Sequence, residues 1–300
     1  MNNSVQLFYP EEFKNKILKL EPTLKVIQSN FEKLKKSFIF IIKILHEELN
    51  KEQKNNKNNN NNNLDESNQL LMFNNFFNNY FSKNQSIMSD LFFGVKCNII
   101  KCLRCNTNKY NHDIYYYLEF SLKEVHTFKN NCDEFNPFNI NYFNNNFQNN
   151  NGITIYDCLD YSRKLKIMSG VNSIYCNNCT INSNCSTQTL LATGPNILIL
   201  ILNREQDTQN NIKFIFNENL NLNAYIQYNN NIDFKYKLIG VISYDYRNNT
   251  NNLISYCRDP ITGNWIKYNS DNIIDINDFQ NEINNFIIPC ILFFEKEKYF

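Results

Sequence analysis

Between positions 31 and 49 the apolar residues Phe31, Leu34, Phe38, Ile41, Ile42, Leu45 and Leu49 recur at intervals of three and four. That spacing collects them on one face and predicts a core helix. Glu11 to Leu18 carries the same period, so residues 11–50 read as two helices, and Leu70 to Phe81 predicts another. Ser86 to Gly94 leads into a different rhythm. Strand-forming residues dominate 94–103, 109–123 (densest from Ile114 to Leu122), 187–191, 196–202, 236–244, 253–258, 264–269 and 287–295. Asn196 to Leu202 is apolar at every position after the asparagine, which predicts a strand covered on both faces in the middle of a sheet. Thr154 to Leu165 predicts a short helix with Thr154 as its N-cap and Asp157 in the capping-box place. Asp259 to Gly263 reads as a hairpin turn. Helices first and mainly antiparallel sheet afterwards make the fold class α+β.

Two stretches break the pattern. Residues 54–63 are only Asn and Lys, which bury no core and predict a flexible insertion. Phe128 to Asn151 is Asn-rich again, but its phenylalanines and Tyr142 predict a looser insertion that docks on the surface. Glycine and proline number six each in 300 residues, so turns must lean on asparagine, which tolerates the left-handed region.

A hydrophobic fraction of 42% is enough for a sizeable core. Net charge is +1, so no global field draws the chain to nucleic acid or an acidic membrane, and neither is expected as a partner. No apolar run approaches the roughly 18 residues of a membrane span. The first residues, Met-Asn-Asn-Ser, lack the basic and then apolar layout of a signal peptide. The ten cysteines are therefore expected in a reducing compartment, cytoplasm or nucleus, where metal is favoured over disulfides.

Four of those cysteines form two knuckles, Cys102-Leu103-Arg104-Cys105 and Cys176-Asn177-Asn178-Cys179. Each pair can close on one tetrahedral ion, and together they supply the four thiolates of a structural Zn²⁺ site. The seventy residues between the knuckles require a larger fold to bring them together. The competing reading is four thiols that merely pack. Cys185 is either a spare ligand or a packed thiol.

The order of these features resembles the catalytic domain of the ubiquitin-specific proteases, the papain-like cysteine deubiquitinases, from about Tyr9 to Phe294. The landmarks are Leu45 to Asn50, Ser86 to Gly94, Lys101 to Cys105, Thr154 to Leu159, Tyr175 to Cys179, Pro195 to Arg204, Ser255 to Pro260 and Gly263 to Trp265. The resemblance implies a hand-like fold: helical thumb, antiparallel-sheet palm and zinc-ribbon fingers that grip ubiquitin. Carried onto this sequence it gives one domain over 1–300, with a thumb remnant at 1–93, fingers and palm at 94–205, and palm at 206–300. The implied activity is thiol-dependent hydrolysis of the bond after ubiquitin's C-terminal glycine.

That chemistry needs a thiolate, an imidazole to move its proton and an Asn or Asp to hold the imidazole. The family's nucleophile lies in an N-terminal box resembling Asn-Thr-Cys-Tyr, yet no cysteine precedes Cys97 here. No nucleophile is assigned. The thirteen-residue family spacing back from Trp265 puts Asn251 and Asn252 where the family has Gly-His, and Asn252 cannot act as a base. Asn269, in Trp265 to Ser270, falls on the family's Asn/Asp position and is expected to be a relic. His46, His112 and His126 lie elsewhere and read as structural or solvent histidines. Cys97, Cys132, Cys158, Cys257 and Cys290 have no histidine nearby in sequence, and Cys158, Cys257 and Cys290 are expected to be buried. Phe31 to Lys36 aligns with the family's acidic segment for ubiquitin's basic tail. Lys33, Lys35 and Lys36 there are expected to weaken that contact, or to be a solvated helix face.

The function expected is a catalytically degenerate member that binds ubiquitin or a ubiquitinated protein, or acts as a scaffold. The alternative is an active deubiquitinase of which the chain is a truncated gene model.

Overall fold

The computed structural model describes residues 11–50, 68–131, 152–204, 212–228, 232–245, 252–269, 272–285 and 287–297. The run 54–63, most of 128–151, Cys132, Asn251 and Ser270 lie outside the described residues. In chain order the elements are helices α1 (Glu11–Leu20), α2 (Asn30–Leu49), α3 (Gln69–Phe81) and α4 (Ile87–Phe92), then strands β1 (Gly94–Cys102), β2 (Asn108–Tyr115) and β3 (Leu118–Ser121). There follow α5 (Leu122–Asn131), β4 (Ile153–Thr154), α6 (Ile155–Ser162), β5 (Lys166–Met168), β6 (Ile174–Cys176), β7 (Ile181–Ser183), β8 (Cys185–Thr193) and β9 (Ile197–Asn203). The chain closes with β10 (Phe214–Ile215), β11 (Asn219–Asn221), β12 (Lys235–Asp245), β13 (Asn252–Arg258), β14 (Trp265–Asn269), β15 (Asn272–Ile276), α7 (Phe279–Asn285) and β16 (Ile288–Lys296).

Capping chemistry sets where several helices begin. Ser29 accepts the Glu32 amide at the start of α2. Thr154 and Asp157 make the expected capping box on α6, as Ser86 and Ser89 do on α4. α6 stops at Ser162 rather than Leu165, because the chain turns at Arg163 to make β5.

The larger sheet has eight strands in the order β15-β14-β13-β12-β16-β9-β3, with β11 on the first half of β12. β9 behaves as its composition predicts. Leu198, Leu200 and Leu202 enter one core with α5, α6 and α7, while Ile199 and Ile201 enter a second core with α2 and α4. Helices thus cover both faces of this sheet, and β9 is buried between them. The smaller sheet, β2-β1-β8-β5, carries a separate two-stranded hairpin, β6-β7, near its far end.

The strand expected over 109–123 is in fact two. β2 leaves β1 after the Gly94↔Tyr115 pair, the chain crosses at Tyr116 and Tyr117, and β3 pairs in parallel with β9 in the other sheet. Leu122 then starts α5, whose Leu122 and Val125 are buried; the first four residues of the stretch read as a loose insertion are therefore helix. Among the described residues no helix is long and apolar enough to cross a membrane.

Candidate metal centre and catalytic positions

The first knuckle is the tip of the β1–β2 hairpin and the second the tip of β6–β7. The two tips have the same backbone. The Asn106 amide donates to the Cys102 carbonyl (2.9 Å) and the Thr180 amide to the Cys176 carbonyl (2.8 Å). The residue after each second cysteine is left-handed, Asn106 at φ 59° and Thr180 at φ 56°. These are the only non-glycine positive φ values among the described residues. Thr180 is β-branched, for which this region is costly, so the second tip holds a strained conformation.

The tips face each other. Cys105 Sγ lies 3.6 Å from Cys176 Sγ, Cys102 Sγ lies 3.9 Å from Cys179 Sγ, and all four sulfurs fall within 4.8 Å of one another. A tetrahedral ion with metal–sulfur bonds of about 2.3 Å needs sulfurs about 3.8 Å apart. The four cysteines therefore fit a metal ion, as the spacing predicted. The electrostatics agree: the Thr107 hydroxyl, 3.2 Å away, and the Asn178 side chain hold the Cys105 thiol down to about 5. Sharing with the Cys105 sulfur pushes Cys179 up to about 12. A cluster that favours one thiolate and resists the next is what a divalent cation resolves. Cys185 is 1% exposed and lies outside the four-sulfur set, with its sulfur 3.4 Å from the Ser183 carbonyl. It is a packed thiol.

The two asparagines assigned from the family pattern lie at one end of the larger sheet. Asn252 starts β13 opposite Asp245, and Asn269 ends β14 one step beyond the Ser255↔Tyr268 pair. The first turn of α2 covers this end, with the Phe31 ring 6.1 Å from that of Tyr244. Lys267, two residues before Asn269, is buried beside Glu282 at 3.9 Å and under the Tyr256 ring.

The three histidines stand on α2, β2 and α5, not on the strands that carry Asn252 and Asn269. His46 Nδ1 is 2.7 Å from the Ser86 hydroxyl that caps α4, and its ring rests on Phe93. His126 contacts Asn130 one turn along α5. His112 is buried against the rings of Phe73 and Phe76 of α3. Register places His112 directly opposite Cys97, a juxtaposition that sequence distance hid. Cys97 is fully buried and its thiol is pushed up to about 11 by desolvation, so this pair offers no accessible thiolate.

Burial lowers the His112 pKa below 6.5. Between the lowered value and 6.5 the unfolded chain binds more protons, so stability falls as pH drops through that window. The urea midpoint of wild type is expected to fall more between pH 7.5 and pH 5 than that of His112→Asn; equal falls would count against it. His46, also lowered by burial, keeps part of the fall in the variant.

Two expectations need correction. Cys257 is exposed, because β13 alternates and Ile254 and Tyr256 take the buried face. Cys158 and Cys290 are buried as expected, and desolvation pushes the Cys290 thiol up to about 12. Lys35 is not part of a solvated face. Its ammonium lies 2.9 Å from both Glu32 and Glu119, with the side chain 12% exposed, so its charge is spent within the molecule.

The family model described as ubiquitin carboxyl-terminal hydrolase matches residues 1–294. No curated protein sequence matches the chain. Among solved structures it is similar to a chain of the SAGA DUB module of a Ubp8 variant with Sgf11, Sus1 and Sgf73. Identity there is 19%, coverage is 88% of this chain and 50% of that one, and the TM-score is 0.58. A chain of the yeast SAGA DUB module with an Sgf73 mutant is also similar, at 19% identity, 76% and 46% coverage, and a TM-score of 0.53. This chain thus spans about half the length of the solved chains it matches.

Proposed function

Because the chain belongs to the ubiquitin carboxyl-terminal hydrolase family, we propose that it holds ubiquitin or a ubiquitinated protein without cutting it, as a binding or scaffold module. This reading rests on the thirteen-residue spacing back from Trp265, which assigns Asn252 to the family's histidine position, and is supported by Asn252 and Asn269 standing at the same end of the larger sheet. A carboxamide has no basic nitrogen, so it can neither take a thiol's proton nor return one to a leaving amine. Asn269 then has no imidazole to orient. The described thiols add support: Cys97, Cys158 and Cys290 are buried, and the exposed Cys257 has none of the described histidines among its ladder partners.

The four-cysteine site is assigned to Zn²⁺, which suits four thiolates and keeps no open position for chemistry. Cys102, Cys105, Cys176 and Cys179 would hold it, and its part is structural: it ties the β6–β7 tip to the β1–β2 tip. Thiolates of this kind are at home in cytoplasm or nucleus. The weakened contact with ubiquitin's basic tail narrows to Lys33 and Lys36, since Lys35 is neutralised by Glu32 and Glu119.

With the full-length protein, calorimetric titration is expected to show ubiquitin binding, and a fluorogenic ubiquitin substrate to release no fluorophore. Turnover that thiol alkylation abolishes would overturn the proposal and favour the second reading, an active thiol-dependent deubiquitinase of which these residues are part. That reading needs a base in place of Asn252.

A further inference from the structure

Cys185 faces Cys102 in the β1–β8 ladder. The Leu103 amide donates to the Asn184 carbonyl on that side (2.9 Å), whereas the Cys102 amide turns the other way, to the Thr107 carbonyl (3.0 Å). Cys102 and Cys185 are therefore a non-hydrogen-bonded antiparallel pair, the kind whose Cα atoms approach to about 4.5 Å. A disulfide accepts Cα separations of about 4.4–6.8 Å, so this pair can be bridged with little backbone movement. Both thiols are buried in the same cluster as Cys176, at 3% and 1% exposure.

We propose that Cys185 is the resolving thiol of an oxidation-sensitive metal centre: under peroxide it joins Cys102 in a cross-strand disulfide, and the centre releases its ion. The inference rests on the reading that the four cysteines hold a metal. Cys185 serves no ligand role of its own, yet the two strands fix it beside a ligand over a long run of paired residues. Cys176 and Cys179 stand on a separate two-stranded sheet. Outside the sulfurs, that sheet is tied to the first by contacts such as Asn178 to Thr107 and Ser173 to Asn184. When a ligand sulfur is oxidised, Cys185 is the partner that stays in place.

The chemistry balances with one peroxide. Cys105 and Cys179 are partly exposed and give a water-sized oxidant a way into the cluster. The Cys102 thiolate attacks the peroxide, the O–O bond breaks, hydroxide leaves and takes a proton from solvent to become water, and a sulfenic acid forms. The Cys185 sulfur then attacks the Cys102 sulfur, the S–S bond forms and the second water leaves. One thiolate and one thiol have given up two electrons, and the peroxide has become two waters with one proton from Cys185 and one from solvent. Three thiolates remain for a site that needs four.

The test uses the full-length protein and hydrogen peroxide. After alkylation of free thiols, peptide mass mapping is expected to find Cys102 cross-linked to Cys185. A chromophoric chelator is expected to detect the released metal, and dithiothreitol with added Zn²⁺ to restore it. Cys185→Ala is expected to bind the same metal but to recover at least fivefold less after peroxide, because Cys102 proceeds to irreversible acids. Cys185→Ser, which fills the site left by alanine, is expected to behave likewise. The proposal is overturned if Cys185 is alkylated while the ligand cysteines pair among themselves, or if the variants recover as fully as wild type. A purified chain without metal would remove the metal reading alone, and the Cys102–Cys185 cross-link is still mapped in it.

Discussion

Replacing Cys102 and Cys176 together by serine is expected to reduce bound metal from about one equivalent per chain to none. One ligand is lost from each hairpin tip, so neither knuckle keeps two thiolates. An affinity loss of three orders of magnitude or more is expected, about 4 kcal/mol, measured by competition with a chelator. The damage should be local. The sulfurs form their own small cluster with Ile100 and Ile174, and none of them belongs to either core that sandwiches the larger sheet. Limited proteolysis is expected to cut first around β6–β7 in the variant while the larger sheet stays protected. A metal-free variant with wild-type protection there would show that packing, not metal, holds the two tips together.

Trp265→Ala is expected to be the most damaging single change in the larger core, at about 3–5 kcal/mol. Trp265 is 4% exposed, its ring stacks on Phe279 at 3.7 Å and 12°, and its indole N–H donates to Glu218. That stack clamps α7 onto the strand that ends in Asn269. Trp265→Phe keeps most of the stack and loses the hydrogen bond, so about 1 kcal/mol is expected for that part. Urea denaturation at constant m checks both. A loss below 1 kcal/mol for the alanine variant would mean that the hairpin β13–β14 is held by its ladder alone.

Features governed by local spacing are legible in the sequence. The two knuckles, the capping box at Thr154 and Asp157, and the doubly buried β9 each depend on residues a few positions apart. What escaped depends on where the chain changes partners. Nothing in Tyr115 to Leu118 marks the switch from an antiparallel pair with β1 to a parallel pair with β9, since all four residues suit either sheet. α5 was hidden by its entry into the Asn-rich stretch, although Leu122, Val125 and Phe128 do keep a helical interval. α7 is short and mostly polar, and in β15 Ile273 and Ile274 are adjacent and break the alternation, so periodicity is weak in both. Cys257 was misplaced because an apolar-looking strand still alternates when one face is covered better than the other. The ion pair of Lys35 with Glu119, the pairing of Cys97 with His112 and that of Cys102 with Cys185 all cross between elements; the packing of α2 beside β3 makes the first, and strand register makes the other two.

The seventy residues between the two cysteine pairs also order events in time. At about 5–20 residues per second, the second pair leaves a ribosome roughly 4–14 seconds after the first. Throughout that interval Cys102 and Cys105 are half a chelate, and β1 waits for β8 as well. Cys179 is still followed by 121 residues that include β12, β13, β14 and β16. Both cysteine pairs therefore leave the ribosome before most of the larger sheet exists, and the two tips can meet around an ion while that sheet is still being made.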